Sequence, residues 1–313
     1  DRKEGSQVST TPTATRDFDL SDILTITDGA LVSTRHIDGV YDIRKDEYKQ
    51  VFRVKPGIKR AYHEEVVLFG MGAAPALPDG QPVTYDEGGQ LYVQRYTYTV
   101  YGLAFALTKV LVEDGEHIRV GSTMSKHLAQ SMDETLETVT ANHLNRAFTS
   151  GYNGGDGVPL VSASHPVITG VQTNVLTSAA LSQTSLEQAL IQVRQAQDSR
   201  GKRIRLTPKQ LIVHPSNMLI AEVLLKSVLR TGTNNNDINP VKTTTSLSDA
   251  IVLSRLTSPT AWFMQTDARD GLKVLWRRKI EKGMEGDFET DSVRYKSTMR
   301  FGSGWTDWRN VYG

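Results

Sequence analysis

The longest regular pattern of apolar and polar positions lies between Gly121 and Thr149. Apolar side chains recur there at steps of three and four residues, as on an amphipathic helix, at Met124, Leu128, Met132, Leu136, Val139, Leu144 and Phe148. Ser122 can cap the start of this helix, and Gly151 can end it. At about 1.5 Å per residue, roughly 29 residues give a rod of about 43 Å. The pattern predicts a spine helix over residues 121–149.

The sequence before the spine helix has the composition of strands. Val51 to Val112 is rich in Tyr, Thr and Val, and a segment rich in Gly, Ala and Pro, Gly70 to Gly80, divides it. This predicts a two-stranded hairpin whose tip is too apolar for solvent and too rich in proline to pair as a strand. The tip either folds onto its own domain or rests on an adjacent copy. Leu103 to Val112 is predicted to be a buried segment that leads into the helix.

An α+β unit is predicted after the spine helix, from about Val161 to Met264. A capping box at Thr184–Glu187 begins a helix with a stripe of apolar residues that Gly201 terminates. Gln210–His214 is predicted to be a buried strand, and a third helix follows from Pro215, with apolar positions at Leu219, Ile220, Val223, Leu224 and Val228. Thr231 to Pro240 is predicted to be an exposed loop, before two more buried strands at Ala250–Ser254 and Ala261–Gln265.

The end of the chain returns to strand patterns. Leu272–Trp276 is one predicted strand, and Val293–Phe301 alternates apolar and charged residues with a period of two. We expect this last strand to pair with the strand that leads into the spine helix. The unit from Val161 to Met264 is then an insertion in a first lobe, and the fold class is α+β.

The first residues lack any such periodicity. Asp1 to Asp19 is polar and rich in Ser and Thr, which predicts a flexible arm. Leu20 to Val32 fits a short helix. The arm either has no role or becomes ordered by lying across a neighbouring subunit.

Composition excludes several classes of function. The 313 residues can bury a sizeable core, and the net charge of +1 is not that of a general nucleic-acid binder. The absence of cysteine excludes disulfides, thiolate nucleophiles and cysteine metal sites. No apolar run is long enough to span a membrane or to act as a signal peptide, so we expect a soluble protein.

Candidate catalytic groups are few. Ser164 and His165 place a hydroxyl beside an imidazole, but neighbouring residues in an extended segment point apart. Glu134 and Glu137 lie three residues apart on the spine helix, where a solvent-facing role is the simpler interpretation. No catalytic, cofactor-binding or metal-binding residue is therefore predicted.

The remaining polar features also have plain explanations. The histidines show no ligand pair with a carboxylate partner at helical spacing, and His127 and His143 are expected to be solvated. The histidines that lack such a pair are His63, His117, His127, His143 and His214. The glycines of residues 151–157 match no phosphate-binding fingerprint and are predicted to form a hinge. The basic stripe Arg294, Lys296 and Arg300 is expected to pair with acidic residues of a neighbouring copy or to be solvated, with phosphate as the alternative.

Several short phrases follow one another in a characteristic order over residues 51–313. They are Asp156-Gly157-Val158-Pro159-Leu160 with Ser164-His165-Pro166, Leu181-Ser182 through Leu186-Glu187, Leu211-Ile212-Val213 before Pro215, Asn234 to Pro240, Leu256-Thr257 with Ala261-Trp262-Phe263, and Arg300-Phe301-Gly302 with Asp307-Trp308-Arg309. Together with the order of elements, they resemble the major capsid proteins of tailed bacteriophages, which share the Hong Kong 97-like fold.

The resemblance implies four parts: an N-terminal arm (residues 1–50), a peripheral domain (51–160 and 271–313), an extended β-hairpin loop (60–98) within it, and an inserted axial domain (161–270). The peripheral domain contains the spine helix, and the loop Gly232–Pro240 would lie near the axis of a capsomer. No lysine or asparagine is singled out for the covalent cross-link that some members of the family form.

Three functions are compatible with these observations. The first is a non-enzymatic virion shell protein that forms hexamers and pentamers and encloses double-stranded DNA, with portal, scaffold or decoration proteins as further partners and assembly in the host cytoplasm. The second is an encapsulin-like nanocompartment shell that encloses cargo enzymes, which particles containing protein instead of nucleic acid would indicate. The third, a hydrolase using Ser164 and His165, predicts an active monomer.

Overall fold

The computed structural model describes residues 46–113, 117–229, 237–244, 247, 249–287, 289 and 291–313. The predicted helix at Leu20–Val32 lies outside the described residues. The N-terminal arm of residues 1–50 also lies outside them, apart from residues 46–50. Most of the predicted loop Thr231–Pro240 also lies outside them.

The described chain groups into two compact units. The smaller contains Leu103–Ser131 and Gly283–Lys296, and the larger contains Met132–Lys282, Ser297–Gly313 and the described part of Ile43–Gly102. These units do not follow the boundaries implied by the resemblance, so the division into peripheral and axial domains stays a prediction.

Helices and strands alternate irregularly along the chain. In order they are α1 (Glu47–Val51), β1 (Arg53–Lys55), β2 (Tyr62–Phe69), β3 (Gly89–Thr97), β4 (Thr99–Thr108), α2 (Lys109–Glu113), α3 (His117–Asn145), β5 (His165–Val167), β6 (Gly170–Gln172), α4 (Gln183–Arg194), β7 (Pro208–Val213), α5 (Met218–Lys226), α6 (Pro240–Thr244), β8 (Ala250–Val252), β9 (Trp262–Thr266), β10 (Leu272–Asp287), β11 (Ser292–Trp305) and β12 (Val311–Tyr312). Short 3₁₀ turns precede α5 and β12.

The spine helix is α3, which starts and ends earlier in the chain than predicted. Gly121 lies inside the helix, where glycine costs about 1 kcal/mol relative to alanine. A Cβ atom at this position would lie 3.3 Å from Leu107 Cδ1. The absence of a side chain on Gly121 therefore leaves room for Leu107 to pack against the helix. Ser122 is therefore not the N-cap, and the chain has already left the helix when it reaches Gly151, which has a φ of +102°.

The long strands form one sheet in the order β1-β10-β11-β4. The neighbouring positions of β11 and β4 confirm that the end of the chain pairs with the strand before the spine helix. Tyr295, Ser297, Met299 and Phe301 are buried, which confirms the period of two. The prediction of a buried segment at Leu103–Val112 is wrong for its described side chains, since β4 is an edge strand in which Leu107 alone is buried.

A second sheet has the order β12-β9-β7-β8. Its core lies against α4 and α5 and contains Leu186, Val193, Leu211 and Met264. The N-cap of α4 is Ser182, whose hydroxyl accepts from the Ser185 N–H, so the capping box begins two residues before the predicted one. β12 pairs with β9, which shows that the last residues of the chain complete this sheet as its edge strand.

The larger unit has a separate core beneath the second half of the spine helix. Met132, Leu136 and Leu144 pack there with Met299 and Phe301 of the long sheet. This core also contains Ile212 and Phe263, so the second sheet has the spine helix on one face and α4 with α5 on the other. None of the helices in the described part of the chain has the length and hydropathy needed to cross a bilayer.

Candidate functional site

Ser164 and His165 do not form a nucleophile and a base. The His165 ring is completely buried, with Nδ1 2.6 Å from Asp156 Oδ2 and Nε2 3.0 Å from Asn174 Oδ1. Both ring nitrogens therefore already have partners. Ser164 is exposed, and its Oγ lies 3.4 Å from Ser162 Oγ. This geometry gives His165 a structural role and does not support the hydrolase hypothesis.

Asp156, His165, Asn174 and Trp308 form a buried group, the His165 cluster. The imidazole stacks on the Trp308 ring with centroids 4.1 Å apart, and the Arg309 guanidinium lies 4.3 Å from the centroid of that ring. The Asn174 amide donates to the carbonyl groups of residues 160, 308 and 311. Phrases that are far apart in the sequence meet in this cluster, which fastens the end of the chain to the connection after the spine helix.

Asn174→Leu is expected to lower the free energy of unfolding by about 2–4 kcal/mol, because it removes the hydrogen bonds of three buried carbonyl groups and one imidazole nitrogen. Urea denaturation of the full chain measures this loss. The matched control is Asn153→Leu at an exposed position, where the side chain accepts one hydrogen bond of 3.3 Å, and a loss below about 1 kcal/mol is expected there. Equal losses in the two variants would show that the cluster contributes nothing special.

Glu134 and Glu137 point toward different partners and share no site. Arg255 Nε donates to Glu134 Oε1 over 3.1 Å, and this hydrogen bond lowers the pKa of Glu134. Glu137 is 3% exposed, and burial raises its pKa. Its Oε2 accepts from the Tyr48 N–H at 3.0 Å, whereas its Oε1 is buried with no hydrogen-bond partner among the described residues.

The histidines differ in burial more than the sequence suggested. His127 is exposed, as predicted. The prediction for His143 is wrong, because its Nε2 lies 2.8 Å from Ser303 Oγ, and its ring is 5.7 Å from that of Trp305. Burial lowers the pKa of His143 to about 4, so the ring is neutral at pH 7. Within the described part of the chain, no group of three or more His, Asp and Glu side chains is placed to hold a metal ion.

The glycines of residues 151–157 form a packed turn where the sequence predicted a hinge. A Cβ atom on Gly154 would lie 2.8 Å from Trp305 Nε1, and one on Gly155 would lie 2.8 Å from the Val93 carbonyl oxygen. Only glycine permits such close contacts. Gly154 and Gly155 therefore serve packing.

The basic stripe on β11 makes contacts within the chain. Arg294 forms an ion pair with Asp287 of its own chain, and the expected pairing with a neighbouring copy stays a prediction. The alkyl stem of Lys296 lies over Gly283. Arg300 Nε is buried without a hydrogen-bond partner in the part of the chain that the structure describes.

Helix α5 presents an apolar surface to solvent. The α5 face consists of Leu219, Ile220 and Val223, with Val228 just after the helix, and the exposed fractions of these side chains are 71%, 47%, 48% and 63%. The opposite side of the helix, with Ala221, Leu224 and Leu225, packs on the second sheet. Of the five apolar positions that the sequence analysis names in this helix, Leu224 alone is buried. A contiguous exposed apolar surface of this kind indicates a protein contact.

The hairpin of β2 and β3 carries a second apolar surface. We call residues 70–88, which join the two strands, the hairpin tip. Its exposed apolar side chains include Met71, Leu77, Val83 and Tyr85, and Tyr85 is 95% exposed. This surface is on a different element from the α5 face.

The base of the hairpin tip is nevertheless attached to its own chain. Arg200 donates to Asp86 Oδ1 at 3.1 Å and to the Glu87 carbonyl at 2.6 Å, and Lys202 donates to the Met71 carbonyl at 2.5 Å. The base of the tip thus fits the alternative in which the tip folds onto its own domain. The apolar side chains beyond the base stay exposed, as the second alternative requires.

Comparison with known proteins identifies the family. A family model described as "Phage capsid protein" matches residues 92–313, which is more than half of the chain. The chain belongs to the phage capsid protein family. The match begins in β3 and includes the spine helix, the second sheet, strands β4, β10 and β11 of the long sheet, and the residues of the His165 cluster. No curated protein matches the sequence.

Solved phage structures share the fold of this capsid protein at low sequence identity. A structure from Microbacterium phage Oxtober96 is 10% identical with a TM-score of 0.55, and covers 95% of this chain and 98% of that one. The capsid of cyanophage P-SCSP1u is 13% identical with a TM-score of 0.54, covering 90% and 92%. A structure from Mycobacterium phage Adephagia is 11% identical with a TM-score of 0.53, and covers 92% of this chain and 92% of that one. These likenesses confirm the α+β, Hong Kong 97-like fold.

The family defines the role of the protein in general terms. It is a structural shell protein of the phage virion, a major capsid protein that works in an oligomer. The nanocompartment alternative is not favoured, since the family that matches is that of phage capsids. The exposed α5 face and the hairpin tip are the candidate contact surfaces between copies of the chain in this oligomer.

Proposed function

We propose that this capsid protein builds hexameric and pentameric capsomers of an icosahedral shell that encloses double-stranded DNA. One observation carries the proposal: the described subunit has two exposed apolar surfaces, the α5 face and the hairpin tip, on separate elements. Each surface exposes side chains that a stable monomer would normally cover.

Two unlike surfaces on one chain favour head-to-tail contacts over a two-fold dimer. When a surface on one copy binds a different surface on the next, rotation by a fixed angle closes a ring. Rings of six and five copies satisfy this condition. We assign residues 161–270, which contain α5, to the axial domain and the spine helix to the peripheral domain, and we therefore expect the α5 face near the centre of the ring.

The genome and the accessory proteins belong to the same proposal. The net charge of +1 does not oppose enclosure of DNA, because a shell needs only weak contacts with its contents. The proposal extends to portal, scaffold and decoration proteins as partners and to assembly in the host cytoplasm, and membership of the phage capsid family supports it. Nuclease-protected double-stranded DNA in purified particles supports this part, and particles filled with protein cargo contradict it.

Leu77→Ser, Val83→Ser and Tyr85→Ser, made together, are expected to reduce particle yield at least tenfold while the subunit remains folded. The three side chains are exposed in the subunit, so their loss removes little of its own packing. A combined loss of about 1.4 kcal/mol of interface free energy from the three side chains already weakens association tenfold. Electron microscopy and size-exclusion chromatography measure assembly, and circular dichroism measures folding.

The control for this variant lies in the same tip. Asp79→Ser with Gln81→Ser changes exposed polar side chains of the tip and is expected to assemble normally. Normal particles from the apolar triple variant would contradict the proposal that the tip is a contact between copies.

A further inference from the structure

Basic side chains are concentrated between the last turn of α4 and the first residues of β7. Residues 194–209 contain six Lys and Arg residues and one Asp, a net charge of +5, whereas the whole chain carries +1. The rest of the chain is therefore net acidic. A concentration of one sign in so short a segment gives the protein a local basic region that its overall charge conceals.

The loop that carries most of these side chains has a fixed backbone. Asp198 Oδ1 accepts hydrogen bonds from the backbone N–H groups of Arg200 and Lys202, at 2.8 and 2.9 Å. Gly201 lies between them with a φ of +78°, which glycine adopts readily. The side chains of Arg200 and Lys202 hold the base of the hairpin tip. The loop therefore presents its other cations with little reordering needed before they bind a ligand.

Those other cations line a cleft of about 400 Å³. Three exposed arginines contribute to its lining, namely Arg194, Arg203 and Arg205, and no acidic side chain does so among the described residues. Arg203 Nη1 donates to the Gln195 carbonyl, and Arg205 forms no ion pair within the part of the chain that the structure describes. Because a guanidinium binds phosphate oxygens through forked hydrogen bonds, this cleft suits a phosphate group.

A second basic cleft, of about 500 Å³, adjoins the first. Its lining includes the exposed side chains of Arg53, Lys209 and Arg269, and Asp267 is the one acidic residue that lines it in the described chain. The two clefts meet where the Thr207 N–H donates to Asp267 Oδ1 at 2.9 Å and the Asp267 N–H donates to the Thr207 carbonyl at 3.0 Å. Cations brought together from three segments of the chain therefore line one continuous surface.

We propose that these two clefts bind the phosphate backbone of duplex DNA. A ligand with one anionic group would occupy one cleft, whereas duplex DNA carries a negative charge about every 1.7 Å along its axis and can contact both. The inference rests on the proposed function, which places duplex DNA inside the shell, and it adds the surface of the subunit that the DNA contacts. A few contacts in each copy become numerous when they are summed over a shell.

Arg205→Gln with Lys209→Gln removes one cation from each cleft. Both side chains are exposed and unpaired within the described residues, so the subunit is expected to stay folded. Each lost phosphate contact reduces the slope of log K against log salt concentration by about 0.9, so the slope should become shallower by about two. The affinity at about 0.1 M salt should fall roughly tenfold or more.

Fluorescence anisotropy of a labelled duplex, titrated with dissociated full-length subunits, measures the affinity and the slope. Two duplexes of unrelated sequence should be affected equally, because phosphate contacts carry no sequence information. A slope that is the same in the double variant and in the unaltered subunit would overturn the proposal.

Two further variants separate the clefts from net charge and from structure. Lys59→Gln with Arg60→Gln removes two exposed cations before β2, and it should leave the slope unchanged. Arg205→Lys with Lys209→Arg keeps both charges and should bind DNA as the unaltered subunit does. Equal losses in the Lys59 and Arg60 variant, or loss of binding in the variant that keeps both charges, would contradict the proposal.

Competitors identify the anion. At matched ionic strength, inorganic phosphate and polyglutamate are expected to displace the labelled duplex much less than unlabelled duplex does. Full displacement by phosphate would indicate a site for the free ion, and full displacement by polyglutamate would assign the clefts to an acidic protein; either result overturns the proposal. Particles that contain no DNA would contradict the proposed function, whereas the salt slope of the subunits decides the present inference separately.

Discussion

Leu219→Asp is expected to abolish particle formation while the isolated subunit stays folded. Leu219 is 71% exposed in the subunit, so the substitution buries nothing there. In an interface, an unpaired carboxylate that loses its water costs several kcal/mol. Every copy in the shell would carry this cost, which weak lattice contacts cannot offset. Electron microscopy of the purified variant should show no particles, and its circular dichroism spectrum should match that of the unaltered subunit.

The control for Leu219→Asp is Lys226→Gln on the same helix. Lys226 is exposed and pairs with Glu222 at 3.0 Å, and such a surface pair contributes about 0.3–0.5 kcal/mol. This variant also changes the net charge by one negative unit, yet we expect it to assemble. Particles of normal yield from Leu219→Asp would show that the α5 face is not a contact between copies.

Glu65→Gln is expected to lower the free energy of unfolding by about 3–5 kcal/mol, since it breaks a buried ion pair and leaves a cation without its main partner. Lys273 is 1% exposed and forms ion pairs with Glu65 and with Asp270, the latter at 3.1 Å. Glu65 also accepts hydrogen bonds from Lys55 at 3.0 Å and from Thr306 at 2.5 Å. Urea denaturation of dissociated subunits measures the loss.

The same carboxylate predicts a dependence of stability on pH. Burial alone would raise the pKa of Glu65, but hydrogen bonds from Lys273, Thr306 and Lys55 outweigh it and lower the pKa from 4.5 to about 2. Because the folded pKa is depressed, this stabilisation is present above the unfolded value and is lost as the pH falls from about 4.5 towards about 2. Glu65→Gln should show a shallower loss over that range.

Glu64→Gln provides the matched control at the next position of the same strand. Glu64 pairs with Arg95 at 2.7 Å, but both side chains are more than one third exposed. An exposed pair of this kind contributes about 0–1 kcal/mol. If the two glutamine variants were equally stable, the buried pair with Lys273 would have no special importance.

Patterns that repeat along one element could be predicted from the sequence. The spine helix and the alternation of β11 were found because burial on one side of an element imposes a period of 3.6 or two on its own residues. The error at the start of the helix arose because Gly121 and Ser122 resemble start signals, whereas the helix contains both. The order of short phrases also indicated the phage capsid family, which the family match confirms.

Contacts between distant segments could not be predicted in this way. Helix α5 is apolar around most of its circumference, so its sequence did not show which side would face the sheet and which would stay exposed. His165 was considered only beside Ser164, although its partners are Asp156, Asn174 and Trp308. Lys273 appeared as one polar residue in an apolar strand, and its partner Glu65 is 208 residues away.

The sequence by itself determined the family, the fold class, the spine helix and the alternating strand, because these depend on periodicity and on phrases within short stretches. Only the tertiary structure decided which apolar surfaces remain uncovered, which carboxylates are paired and which basic side chains line the two adjoining clefts. The physical reason is that burial and charge pairing belong to elements brought together by folding, and no single stretch of the chain contains both partners.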